Sequence, residues 1–405
     1  MKKFVSLLLA LLMLAVMLPA TAMAAPGLSG EVNYPTGVTE ESFGTNTIYV
    51  DMVTGDQNYF DKLETALEAA QSGATMYCKA NAAIASDLSH PDFYKNITVY
   101  GNGADFQKRE NNFGTTGAGY KYPAANSTIT VNIYNAKNFA VWGQPSSDNI
   151  IWNITMKNCA NDGKYFLMFR GEASDNSVMN FTLIDCKYTG VNDKDVNGIH
   201  ITADGSVTVT NCEFNNCSSA INANHKQNDA LTLNISDNTF TNCGFNYPTD
   251  DYYAPVRLVN SGNGSVDATI ENNTFSGTVA GNGDIRLGDQ RTGKTSNTVN
   301  ATIINSSNQD ITVRNGNPGD TEPVMSTVPA KSQVMATNND MTEPDPIEED
   351  PTTPGTITII VPSTEEPKPA DDQKNPATGA NDFVGVAAAA AVMALLGSAV
   401  VLRKK

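Results

Sequence analysis

The sequence predicts an all-β chain dominated by a right-handed parallel β-helix, and three observations predict it. First, from about Val32 to Arg314 one unit recurs: an alternating apolar strand, then Asn or Asp, then a small residue. Copies stand at 97–101, 131–135, 154–159, 181–186, 207–212, 233–238 and 268–273, with a worn one at 302–306. Second, the turn residues Asn158, Asp185, Asn211 and Asp237 fall 27, 26 and 26 residues apart, and the steps to Asn272 and Asn305 stretch to 35 and 33. Third, like residues share repeat positions. Cys159, Cys186 and Cys212 form one column, Cys217 and Cys243 a second, and Phe214, Phe240 and Phe275 a third.

A period in the twenties to thirties with period-2 alternation inside it marks a solenoid. Leucine-rich repeats need a leucine consensus that is absent. Helical repeats need long amphipathic helices, whereas this region is rich in Asn, Thr, Ser and Gly, which interrupt helices. Eight coils are expected, each of about three short strands, stacked about 4.8 Å apart. Stacked thiols are expected as buried core, because no Cys-x-x-Cys or Cys/His spacing suits a metal.

The elements follow in chain order. Residues 1–24 read as a secretory signal: Lys2 and Lys3, an apolar run from Phe4 to Leu18, Pro19, then the small-x-small site Ala22-Met23-Ala24. Cleavage is expected between Ala24 and Ala25, and the solenoid domain is expected over 25–315. A solenoid needs its hydrophobic end covered. Tyr59 to Ser72 is expected as that lid, a helix with Phe60, Leu63, Ala66, Leu67 and Ala70 on one face and Gly73 ending it.

This helix with the strand Thr75-Met76-Tyr77 resembles the N-terminal cap of pectate-lyase-like β-helix proteins. The Asn-x-x-Phe turns Asn211-Cys212-Glu213-Phe214 and Asn272-Asn273-Thr274-Phe275 extend the resemblance to about 280 residues. The resemblance implies a fold that hosts lyases, hydrolases, adhesins and inert stalks. Its lyases pair a Lys or Arg base with carboxylates, often with calcium; its hydrolases set two or three Asp together.

The best column for such chemistry runs through Gly198-Ile199-His200-Ile201, Ala220-Ile221-Asn222-Ala223, Pro255-Val256-Arg257-Leu258 and Asp284-Ile285-Arg286-Leu287. With the aliphatics inward, His200, Asn222, Arg257 and Arg286 point outward on one face. Asp193, Lys194 and Asp195 lead into it, and His225, Lys226, Asp284 and Asp289 flank it. Three readings stay open. The arginines pair with Asp284 and Asp289 on a solvated face, or they grip an anionic sugar, or His200, Arg257 and Arg286 with Asp193 and Asp195 form a catalytic site. Trp142 and Trp152 lie in alternating strands, where packing competes with stacking on sugar rings. No cofactor is expected, and calcium enters only with the lyase reading.

Residues 316–374 are expected as a disordered acidic Pro/Thr stalk. Over 316–382 there are 13 acidic and 3 basic residues, so this stretch carries −10 of the chain's −17. Such composition extends and repels itself. The chain's acidity also excludes a nucleic-acid partner, which needs a basic face.

Residues 375–405 close the chain with Asn375-Pro376-Ala377-Thr378-Gly379, an apolar run from Phe383 to Leu402 long enough to cross a membrane, and Arg403-Lys404-Lys405. This order resembles the cell-wall sorting signal of Gram-positive surface proteins. In that family a sortase cysteine attacks the threonine carbonyl, here that of Thr378, and an amine of the peptidoglycan precursor resolves the acyl-enzyme. The family's usual first residue is leucine; Asn375 stands there in this chain. The resemblance implies a secreted, wall-anchored protein held only transiently in the membrane, with sortase and peptidoglycan as partners. The function expected is adhesion to host or dietary glycans or to another surface; the runner-up is a lyase or glycoside hydrolase acting on uronic polysaccharides, and a passive structural coat component is a third reading.

Overall fold

Asn and Asp at the repeat turns are explained by the backbone they must adopt. Asn158, Asp185, Asn211, Asp237 and Asn272 all sit at φ between 53° and 59°, the left-handed region that a short polar side chain tolerates best after glycine. The computed structural model describes residues 48–347 except 52–56, 61, 79–80, 115–118, 145–147, 173, 192–196, 245–252, 279–280, 290–293, 318–319 and 321–323. The expected signal peptide at 1–24, the part of the expected stalk beyond 347, the motif Asn375–Gly379, the run 383–402, and Asp193, Lys194 and Asp195 lie outside the described residues. Among the described residues no helix is long and apolar enough to cross a membrane.

Among the described residues the chain is a solenoid of mainly parallel strands, which with antiparallel strands at the ends stack into three sheets of 13, 9 and 5 strands. Each repeat places its long strand in the first sheet, as Ile151–Lys157, Val178–Ile184 and Gly205–Thr210 do. After the left-handed turn residue a three-residue strand such as Lys187–Thr189 enters the smallest sheet, and a further strand such as Asn197–Ile201 enters the nine-stranded one. Among the described residues nine parallel strands stack in the long sheet, because Ala74–Cys78 joins Ile97–Tyr100 in parallel and adds a coil to the eight expected.

The columns stack as the repeats predict. Phe214 pairs with Phe240 and Phe240 with Phe275, and their rings lie parallel at 5.4 and 4.9 Å. Tyr188 and Phe166 continue the series toward the N-terminus. The cysteine column bridges coils through the backbone. The amide of Cys159 meets Cys186 Sγ at 3.3 Å, and that of Cys186 meets Cys212 Sγ at 3.4 Å. All six cysteines are buried.

Both ends close differently from expectation. The helix spans only Leu63–Ala69 and buries Leu63, Ala66 and Leu67, while Lys95 Nζ donates to the carbonyls of Leu67, Glu68 and Ala70 at its C-terminal end. Tyr59 and Phe60 belong instead to the strand Gln57–Phe60, antiparallel to Ile48–Asp51, which pairs antiparallel with the first parallel strand. An open edge of backbone donors and acceptors is the reason: a helix alone covers the core but not that edge.

The same need extends the folded region past the expected boundary at 315. Val324–Val328 pairs antiparallel with Ile311–Asn315, and Ser332–Thr337 pairs with Val299–Asn305. Each of these two sheets thus ends on an antiparallel strand. Asp345–Pro346 adds a last short pairing. Buried Asn305 locks this end, donating to the carbonyls of Gln309, Val328 and Pro329.

Candidate functional site

Strand alternation carries the outward column of the nine-stranded sheet through Asn112, Trp142, Met168, His200, Asn222, Arg257, Arg286 and Arg314, one residue per coil. His200, Asn222, Arg257 and Arg286 therefore stand together as expected, and Arg314 makes a third stacked arginine. The arginine end of the column is not solvated. Arg257 is 0% exposed and Arg286 1%. Arg257 donates to Asn222 Oδ1 at 2.7 Å and to Asp289 Oδ2 at 3.1 Å. Arg314 donates to the carbonyl of Gly281.

Gly288 makes the Asp289 contact possible. Its φ is 86°, and a Cβ there would stand 2.1 Å from the carbonyl oxygen of Gly316. Only glycine lets the chain turn here. Asp284 does not serve the arginines as expected. Its oxygens accept from the hydroxyls of Thr278 and Thr312 and from the Thr312 amide.

His200 is half-buried, and its Nδ1 is buried with no hydrogen bond. Burial first, then the charges of Arg170, Arg257 and Lys226, lower its pKa to about 3. It is neutral at any physiological pH. His225, which the sequence places at the edge of the column, is buried, with Nε2 2.6 Å from Asp204 Oδ1 and Nδ1 3.3 Å from Asn260 Oδ1. Trp152 is buried, and Trp142 lies against His90 with centroids 4.9 Å apart. Among the described residues no group of three or more His, Cys, Asp or Glu side chains converges as a metal site would require.

The outer face of the long sheet is open by contrast. One column there is Thr or Asn on all nine coils: Thr75, Thr98, Asn132, Thr155, Thr182, Thr208, Asn234, Thr269 and Thr302. The neighbouring column links coils by hydrogen bonds from Ser206 to Asn180 and from Asn180 to Asn153. Tyr77, Tyr100 and Tyr134 stack beside them at 5.1 and 5.2 Å. At the C-terminal end the face deepens into a cleft of about 530 Å³ lined by the last three parallel strands of this sheet, the strand Ser332–Thr337, Asp340 and Thr342.

No protein-family model, curated protein or solved structure matches this chain.

The cleft escaped the sequence reading because half of its wall lies in a segment whose composition reads as stalk. The repeated Thr and Asn positions carried a signal, but alternation alone marks them only as outward.

Proposed function

We propose that this chain is an adhesin of a Gram-positive cell surface, covalently attached to peptidoglycan by a sortase, which holds glycans without cleaving them. The order of Asn375–Gly379, apolar run and basic tail supports the anchoring, and residues 1–24 support export. The solenoid is read as a right-handed, pectate-lyase-like β-helix, since parallel strands joined by crossovers take that hand almost without exception.

The observation that carries the binding role is the unbroken Thr/Asn column on the open face of nine coils. It repeats one hydrogen-bonding element every coil, about 4.8 Å apart, which suits a repeating polymer. The arginines that uronate chemistry would use are instead buried against Asn222, Asp289 and backbone. The test is retention of the full-length chain on immobilised polysaccharides, with product analysis. Retention without new reducing ends or unsaturated uronate ends is expected; either product would replace the adhesin with an enzyme. In a Gram-positive host, Thr378→Ala is expected to shift the chain from the wall fraction to the membrane, and unchanged wall attachment would refute the sortase role.

A further inference from the structure

We infer that the cleft at the C-terminal end of the long sheet is the glycan site and that it takes neutral, hydroxyl-rich sugars rather than uronates; the inference rests on the adhesin reading. The closing strand builds the site. Ser332–Thr337 runs antiparallel to the last coil, the chain turns at Thr337–Asp340, and Thr342 pairs back onto Met335 through its amide at 2.9 Å and its hydroxyl at 3.1 Å. This return bounds the cleft on its C-terminal side. The volume of this open cleft, about 530 Å³, lies in the range of about 300–1,000 Å³ usual for ligand pockets.

The lining chooses the ligand. Asp267 and Asp340 bring two carboxylates, and no Lys, Arg or His lines the cleft. A uronate would meet repulsion there, whereas sugar hydroxyls donate to carboxylates in charge-assisted bonds. Asn300 Nδ2 donates to Asp267 Oδ1 at 2.9 Å, which fixes both groups. Asp267 and Asn300 both line the cleft, so a carboxylate and an amide offer acceptors to sugar hydroxyls. Met335, 67% exposed, gives the soft apolar edge that the C–H face of a pyranose needs. Thr302 stands in register with Met335 on one side and Thr269 on the other, so the Thr/Asn column leads out of the cleft along the solenoid axis.

The test measures affinity of the full-length chain for a β-glucan, a mannan and a galactan against polygalacturonate and hyaluronate. At least one neutral polymer is expected to bind more tightly than both uronates, with no change on chelation. Asp267→Asn and Asn300→Ala are each expected to weaken binding about tenfold or more, the loss of one charge-assisted hydrogen bond. Asp340→Asn and Met335→Ala, at exposed positions, give the same reading if the first pair unfolds. Lys187→Ala, exposed on the smallest sheet and away from this face, keeps affinity within about twofold. Equal binding by wild type and all four cleft variants overturns the cleft while the adhesin reading stands. Preference for uronates, or loss of binding on chelation, also overturns it. If no polysaccharide binds wild type, the adhesin reading falls and takes the cleft with it.

Discussion

The backbone amide of Cys212 donates to Asn238 Oδ1 at 2.8 Å, in the place where the amide of Cys186 meets Cys212 Sγ. Asn238 Nδ2 donates in turn to the carbonyl of Val209, just as Cys212 Sγ donates to that of Leu183. The series continues from the Asn238 amide to Asn273 Oδ1. Cys and Asn are thus interchangeable members of one ladder, each satisfying a buried amide and a buried carbonyl of the preceding coil.

Cys212→Asn is therefore expected to keep the fold with an equal or higher melting temperature. Asn238→Ala leaves a buried amide and a buried carbonyl unpaired and is expected to cost about 1–3 kcal/mol. Chemical denaturation measures both, and equal stability of Asn238→Ala and wild type would refute the ladder.

Arg257 and Asp289 form an ion pair with almost no solvent exposure. Removing one partner takes this contact from a buried charge, so Arg257→Ala is expected to destabilise by about 3–5 kcal/mol. Arg257→Met with Asp289→Leu should recover most of that loss, since a buried pair is often replaceable by apolar groups. A double variant no more stable than Arg257→Ala would show that the arginine is needed for other contacts.

His200 makes stability pH-dependent, with a sign that follows from its depressed pKa. The folded imidazole titrates near 3 and the unfolded one near 6.5. Between these values the unfolded chain binds more protons, so stability falls as pH drops from about 6.5 toward 3. One residue contributes a slope of at most about 1.4 kcal/mol per pH unit. His200→Gln is expected to shrink the difference in melting temperature between pH 7 and pH 4.5, and an unchanged difference would contradict the assignment.

Cys217 Sγ and Cys243 Sγ stand 2.9 Å apart, both wholly buried, on coils whose spacing fits the disulfide Cα window. The sulfurs of Cys159, Cys186 and Cys212 approach backbone groups instead. Refolding with a small-molecule disulfide as oxidant is expected to link only Cys217 to Cys243, each thiol losing one hydrogen while the oxidant is reduced to two thiols. Burial raises the Cys217 thiol pKa, so the folded protein should react slowly. Peptide mass mapping reads the linkage; a cross-link within the other column would sink this expectation.

The repeat period, the turn residues and the aromatic and cysteine columns were legible in the sequence for one reason. In a solenoid the spatial neighbour of a side chain is its counterpart one coil away, so a one-dimensional period specifies a three-dimensional contact. The register of Cys159, Cys186 and Cys212 and the left-handed turns at Asn158, Asp185 and Asn211 follow from that rule. Even the grouping of His200 with Arg257 and Arg286 does.

What lies off the period was not legible. Alternation says that Arg257 points out of the sheet; only Asp289, arriving on the turn at Gly288, makes outward mean buried. Composition marks 316–347 as stalk, yet the unpaired edges left by Val299–Asn305 and Ile311–Asn315 recruit two of its segments as closing strands. The wall beside Met335 exists only because of that recruitment. Sequence alone determined the coil and its columns, where each contact repeats; tertiary structure decided which face is covered and where the cleft opens, because connecting segments and ends meet partners that no repeat encodes.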